Sequence, residues 1–349
     1  MLKVHGWAGG QVRRFTTTGV AVPLACALLV TACSSSKGGS SDNQDDLQIV
    51  ANPVAATAPV SPAPTAKAAG TVLAAGNVTA MATDETSRIL AVATGNTVSL
   101  YRLDEITAAP VQVSVDGPVE QLSATDGTLL ASIPSRGEVV RIALPGGQAS
   151  SFTVPGQPAD AVADGPSALV AVRDQKAIDV VDGGKVTKTI SGQLYSADEI
   201  VRTGDSTVVL DRLRTAVFSV DVPGGSIGLG LRAGDGATNA VADSYGRVLV
   251  TDTRGGALLA FSANPLLLRQ LYPVPGGIYG IAYDSKRSLA WVTLTQSNEV
   301  VGFDVRGGEP VEKYRFPTVR QPNSISVDEQ TSRVFVGSAT GEGIQVIQP

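Results

Sequence analysis

The chain has 349 residues, enough for two average domains or one large repetitive one, and it sets 38 Gly and 20 Pro against 17% charged and 5% aromatic residues. That balance, with 43% hydrophobic residues, excludes an architecture of long helices and favours many short strands joined by tight turns, an all-β class. A formal net charge of −5 without a basic run excludes nucleic acid as a partner, since phosphate binding needs clustered Lys and Arg to displace counterions.

Residues 1–32 have the pattern of an export signal. Lys3, Arg13 and Arg14 make a basic start, and the apolar run from Val20 to Val30 is too short to span a hydrocarbon core, which takes about 20 helical residues. The ending Val30-Thr31-Ala32-Cys33 resembles the lipobox of bacterial lipoproteins. That resemblance implies that Cys33 is acylated as the first mature residue and that the protein is held by lipid at the extracytoplasmic face of the cell membrane. Loss of residues 1–32 removes three basic groups and no acidic one, taking the net charge to −8, and also discards His5 and Cys26. The mature chain then has no histidine and no free thiol, which excludes Ser-His-Asp and Cys-His catalysis, His-ligated metals, cysteine zinc sites and disulfides.

Residues 33–65 are dominated by Ser, Gly, Asp, Pro and Ala, a composition that buries too little apolar area to offset its ordering entropy. This stretch is expected to be a disordered tether, and deleting 34–64 is expected to leave stability unchanged. TAPVSPAPT, residues 57–65, resembles the glycosylated linkers of actinobacterial lipoproteins.

From residue 66 to 349 the chain repeats itself. Asp84, Asp126, Asp164, Arg202, Asp243, Asp284 and Asp328 recur in steps of 38 to 44 residues, marking seven units. Each is followed by a short apolar run, such as ILAVA from Ile89 or LAWVTL from Leu289. Continuous rather than alternating apolar runs predict strands covered on both faces. A polar turn and a third strand follow, and Gly146-Gly147, Gly183-Gly184, Gly224-Gly225 and Gly307-Gly308 predict hairpins into a fourth. Seven four-stranded antiparallel units around an axis make a seven-bladed β-propeller. The seventh unit ends after its third strand, so residues of about 66 to 75 are expected to supply its outer strand and pair with the strand around Ile344 to Ile347.

LAWVTLTQSNEVVGFDV and RVFVGSATGEGIQVI resemble the YVTN repeat, and PNSISVD from Pro322 resembles the strand entry of NHL and lactonase-like propellers. Four residues before each aligned turn lies the position that faces the channel, and three consecutive units place Asp160, Asp198 and Asn239 there. No cofactor is expected beyond Ca²⁺, which these oxygens suit, as they suit a polar ligand, or else they bond nearby backbone amides. The Pro-Asn pair at Asn323 resembles one that contributes an amide to the metal site of calcium-dependent lactonases. Tyr279, Arg212 and Arg214 are further candidates for an anionic or sugar ligand. Asp211 and Asp252, at the ends of second strands, are expected to turn the chain. The function expected is a binding or scaffolding module for a protein or glycan partner, rather than an enzyme. The alternative is a calcium-dependent, lactonase-like hydrolase.

Overall fold

The structure, a computed structural model, describes residues 52–349. The export signal, Cys33 and the first part of the expected tether lie outside the described residues. Seven four-stranded sheets follow one another along the chain, each with its strands in sequence order from first to fourth, except the last. All-β architecture with seven antiparallel blades is thus the fold, relieved among the described residues only by two single-turn 3₁₀ segments, Leu103–Glu105 and Pro134–Arg136. Blades 1 to 6 occupy 80–114, 121–153, 158–191, 199–232, 237–273 and 278–317; blade 7 combines 322–347 with Thr71–Leu73. That last strand closes the ring. Thr71 pairs with Val346, Val72 with Gln345 and Leu73 with Ile344.

The apolar runs are the second strands, and the reason for their unbroken hydrophobicity is visible in the packing. Ile89, Leu90, Ala91, Val92 and Ala93 are all buried, as is the whole of Leu289–Leu294. One face of each second strand meets the blade before it and the other the blade after. Ile89 and Leu100 of blade 1 share a cluster with Leu129 and Ile142 of blade 2, and Leu169 and Ile178 of blade 3 share one with Val209 and Phe218 of blade 4. Outer strands lack a second neighbour, and most of Gln148–Thr153 is exposed.

Blade 6 carries the largest buried side chain. Trp291 opposes Gly302, which opposes Tyr314. The missing side chain at 302 lets the indole lie across the third strand and stack on Tyr314 at 5.5 Å and Phe316 at 6.4 Å. A methyl group on Gly302 would sit 2.9 Å from two indole carbons. Gly302→Ala is therefore expected to cost about 1–3 kcal/mol, the range for overpacking a filled core, and to shift Trp291 emission. Unchanged urea unfolding of the variant would show that the stack is looser than the geometry requires.

The expectation of a free tether does not hold for its described part. Ser61 is 2% exposed. Its N–H donates to Gln321 Oε1 at 2.8 Å, its hydroxyl donates to the Thr295 carbonyl at 2.5 Å, and the Gln321 N–H donates to that hydroxyl at 3.1 Å. The carbonyls of Val54, Pro59 and Pro62 accept from Arg254, Gln321 and Asn298. The physical reason is that proline has no N–H, so an extended proline-rich segment presents mainly acceptors, and side-chain donors of blades 5 to 7 meet them.

Candidate functional site

The inner strands begin at one face of the ring, and several are bulged there. Register shifts fall between Pro158 and Asp160, Ala237 and Asn239, Ile278 and Ile281, and Pro322 and Ser324. A bulge lets two residues face one on the partner strand and re-aims the side chain beside it. At this face all seven blades line one cavity of about 630 Å³ at the channel mouth. Its polar lining includes Asn77, Thr79, Glu120, Gln121, Asp198, Glu199, Arg212, Asn239, Tyr279 and Asn323.

The charged part is concentrated in blades 2 to 4. Arg173 pairs with Glu120 and donates from Nε to Asp198 Oδ1 at 2.7 Å. The other oxygen of Asp198 accepts from the Ser196 hydroxyl and, at 2.9 Å, from the Arg212 N–H. Arg212 reaches from there across the cavity edge: its Nη2 donates to Asn239 Oδ1 at 3.3 Å and stands 3.9 Å from Glu199 Oε2. Its Nε is buried without a hydrogen-bond partner. Asn239 passes the chain on by donating Nδ2 to the Tyr279 carbonyl at 3.0 Å.

Of the residues expected from the sequence, Asp198, Asn239 and Asn323 line the cavity, with Arg212 and Tyr279. Asp160 stands behind the wall: its carboxylate accepts from the Ala161 and Ile200 N–H groups, both at 2.9 Å, and so ties blade 3 to blade 4. Asn323 Oδ1 accepts from Gln321 Nε2 at 2.9 Å. The carboxylate and amide oxygens of all four expected ligands already accept from protein donors. Among the described residues no group of three His, Cys, Asp or Glu side chains is gathered as a metal site would require. Asp211 and Asp252 have turn-forming roles: Asp211 accepts from the Tyr195 and Arg214 N–H groups, Asp252 from those of Asp235, Gly236 and Gly255.

Glu199, missed by the repeat alignment because it lies one position past Asp198, is the most perturbed group of the cavity. Its signal in the sequence is a carboxylate placed directly before the apolar pair Ile200-Val201. Burial raises it, Arg212 only partly opposes this, and the carboxyl is pushed up to about 8. Burial also raises Asp160, to about 6, against the pull of its two backbone donors. At neutral pH Glu199 is therefore a carboxylic acid, with Oε2 accepting from the Ala240 N–H at 3.0 Å and a proton available to donate.

The linked stability effect has a definite sign. The unfolded carboxyl titrates near 4.3 and the folded one near 8, so between those values the native state holds the extra proton and stability falls as pH rises. Glu199→Gln lacks this slope. It is expected to match the wild type near pH 4 and to exceed it by on the order of a few kcal/mol above pH 8. Urea unfolding across pH 4 to 9 measures the difference, and parallel curves would refute the assignment.

No family model matches the chain, and no curated protein sequence does. Solved structures share its fold at low identity. The hydrazine synthase of Kuenenia stuttgartiensis superposes with a TM-score of 0.67 at 14% identity, covering 81% of this chain and 99% of that one. A streptogramin B lyase gives 0.67 at 10%, covering 80% and 97%. The WD40 β-propeller domain of Doa1 gives 0.63 at 12%, covering 80% and 95%. At such identities the likeness establishes the propeller and nothing about chemistry.

Proposed function

We propose that this protein is a lipid-anchored binding module of the extracytoplasmic membrane face, of the YVTN/NHL-like lipoprotein type, and that its ligand enters the channel mouth. The observation that carries the reading is a single polar cavity of about 630 Å³ to which every blade contributes, the size and placement of a small-molecule or side-chain site. Its charges are largely matched: Arg173, which bridges Glu120 and Asp198, and Arg212 together balance those two carboxylates, and Glu199 holds its proton. Amide and hydroxyl groups make up the rest of the polar rim. Such a lining favours an uncharged, hydroxyl- or amide-rich ligand, as on a glycan or a protein loop, over a strong ion.

Two measurements test this. Cys33→Ala is expected to abolish fatty-acid labelling and move the protein from the membrane to the soluble fraction; unchanged labelling would remove the anchor from the proposal. Glycan and peptide arrays probed with the purified protein are expected to show binding that falls at least tenfold in Asn239→Ala and Asn323→Ala with circular dichroism preserved. Binding indifferent to both substitutions would place the ligand elsewhere.

A further inference from the structure

The strap formed by Val54 to Pro62 is docked on one particular face. Its partners are the loops entering the inner strands of blades 5, 6 and 7, and the loops between second and third strands of the same blades. The cavity is lined by the same two sets of loops around the ring, so strap and channel mouth share a face. The receiving positions are equivalent in the repeat: Gly236, Gly277 and Gln321 each precede an inner strand. A methyl group on Gly236 would meet Ala56 Cβ at 2.8 Å, and one on Gly277 would meet Pro59 Cγ at 3.1 Å. The same positions hold Thr79, Glu120, Gln157 and Asp198 in blades 1 to 4, where no strap lies. The glycines are thus confined to the blades that carry it.

The third position acts as a clamp. Gln321 binds Ser61 N–H through Oε1 and the Pro59 carbonyl through Nε2, while Asn298 donates to the Pro62 carbonyl and accepts from the Gln321 N–H at 3.2 Å. Gln321 Nε2 also donates to Asn323 Oδ1 in the cavity wall, so strap and site are joined by one side chain.

We infer that the strap sets the orientation of the propeller on its membrane, holding the channel mouth toward the lipid surface and leaving blades 1 to 4 as the open approach. This rests on the anchored reading above. Val54 lies twenty-one positions after Cys33 in the chain, a reach of at most about 75 Å when fully extended. Turning the opposite face to the bilayer would oblige that length to pass around the rim as well, a detour of roughly 20 Å for the length of a six-residue strand before the radius is added. Fewer chain conformations satisfy that arrangement.

The full acylated protein, reconstituted into phosphatidylcholine vesicles containing a nitroxide-headgroup lipid, tests the orientation. A fluorophore is placed on a single cysteine at Arg136→Cys, on the cavity face, or at Lys286→Cys, in a hairpin of the opposite face. Nitroxide quenching is expected to be at least threefold stronger at 136 than at 286, and the ratio is expected to fall toward one when Asn298→Ala and Gln321→Ala release the strap. Vesicle-bound protein with equal quenching at both sites, or stronger quenching at 286, overturns the orientation while leaving the anchor intact. Protein that does not associate with vesicles overturns the anchored reading, and this proposal with it.

Discussion

Asp328→Ala is expected to lower the unfolding free energy by about 3–5 kcal/mol, the cost of removing one partner from a buried ion pair. The Asp328 side chain is fully buried at the end of the first strand of blade 7. It receives Arg88 of blade 1 at 2.7 and 2.9 Å, Arg333 of its own blade at 2.8 Å, and the Thr331 hydroxyl at 2.6 Å. Blade 7 joins 322–347 to Thr71–Leu73, the strand that precedes blade 1 in the chain, so this carboxylate fastens blade 1 to the blade that closes the ring. Burial works to raise its carboxyl, and the donors of Arg88, Thr331 and Arg333 overcome that and hold it well below the usual carboxylate range. The sign follows from the depressed value. The stabilisation is complete above about pH 4, where the unfolded carboxyl ionises, and is lost as pH falls through the lower folded value. The wild type is expected to lose stability steeply below pH 4, and Asp328→Ala to show a shallower acid limb. Equal acid limbs would mean that another carboxylate governs the seam.

Deletion of the N-terminal chain is expected to act in two steps. Removal through residue 64 takes away the Ser61 and proline-carbonyl hydrogen bonds, each worth about 0.5–1.5 kcal/mol net. The ordering entropy regained by the freed segment offsets most of their sum, and a loss of about 1–3 kcal/mol is expected. Removal through residue 77 also strips Thr71–Leu73 from the strand Ile344–Ile347. It takes Leu73 and Ala75 away from the cluster containing Leu90, Phe335 and Ile344. The larger deletion is expected to cost roughly 4 kcal/mol or more beyond the smaller and to leave a pairing-competent edge that aggregates. Trp291, buried in blade 6, reports both transitions by fluorescence in urea. Equal stability of the two deletions would show that the ring closes without its N-terminal strand.

The seven-unit architecture was readable because its signals are local. Asp84, Asp284 and Asp328 recur at turn positions, each accepting a backbone N–H two or three residues on, and the glycine pairs fall in the hairpins between third and fourth strands. The closing strand was readable from a deficit, since a blade of three strands leaves an edge that some segment must cover. The cavity was readable only in part. Aligned positions located Asp198 and Asn239, but a bulge changes which residue faces the axis, and repeat arithmetic cannot see bulges.

Composition and spacing alone determined the class, the number of blades and the absence of histidine and cysteine from the propeller, because these depend on which residues are present and how often they recur. Tertiary structure alone decided that Glu199 keeps its proton, that Arg173 spans Glu120 and Asp198 from different blades, and that a proline-rich segment with the composition of a free linker is clamped at Ser61. Each of these depends on what surrounds a group in space. Burial, paired charge and the availability of donors for proline carbonyls are properties of neighbours on other blades, 25 residues away in the chain for Arg173 and Asp198 and 260 for Ser61 and Gln321.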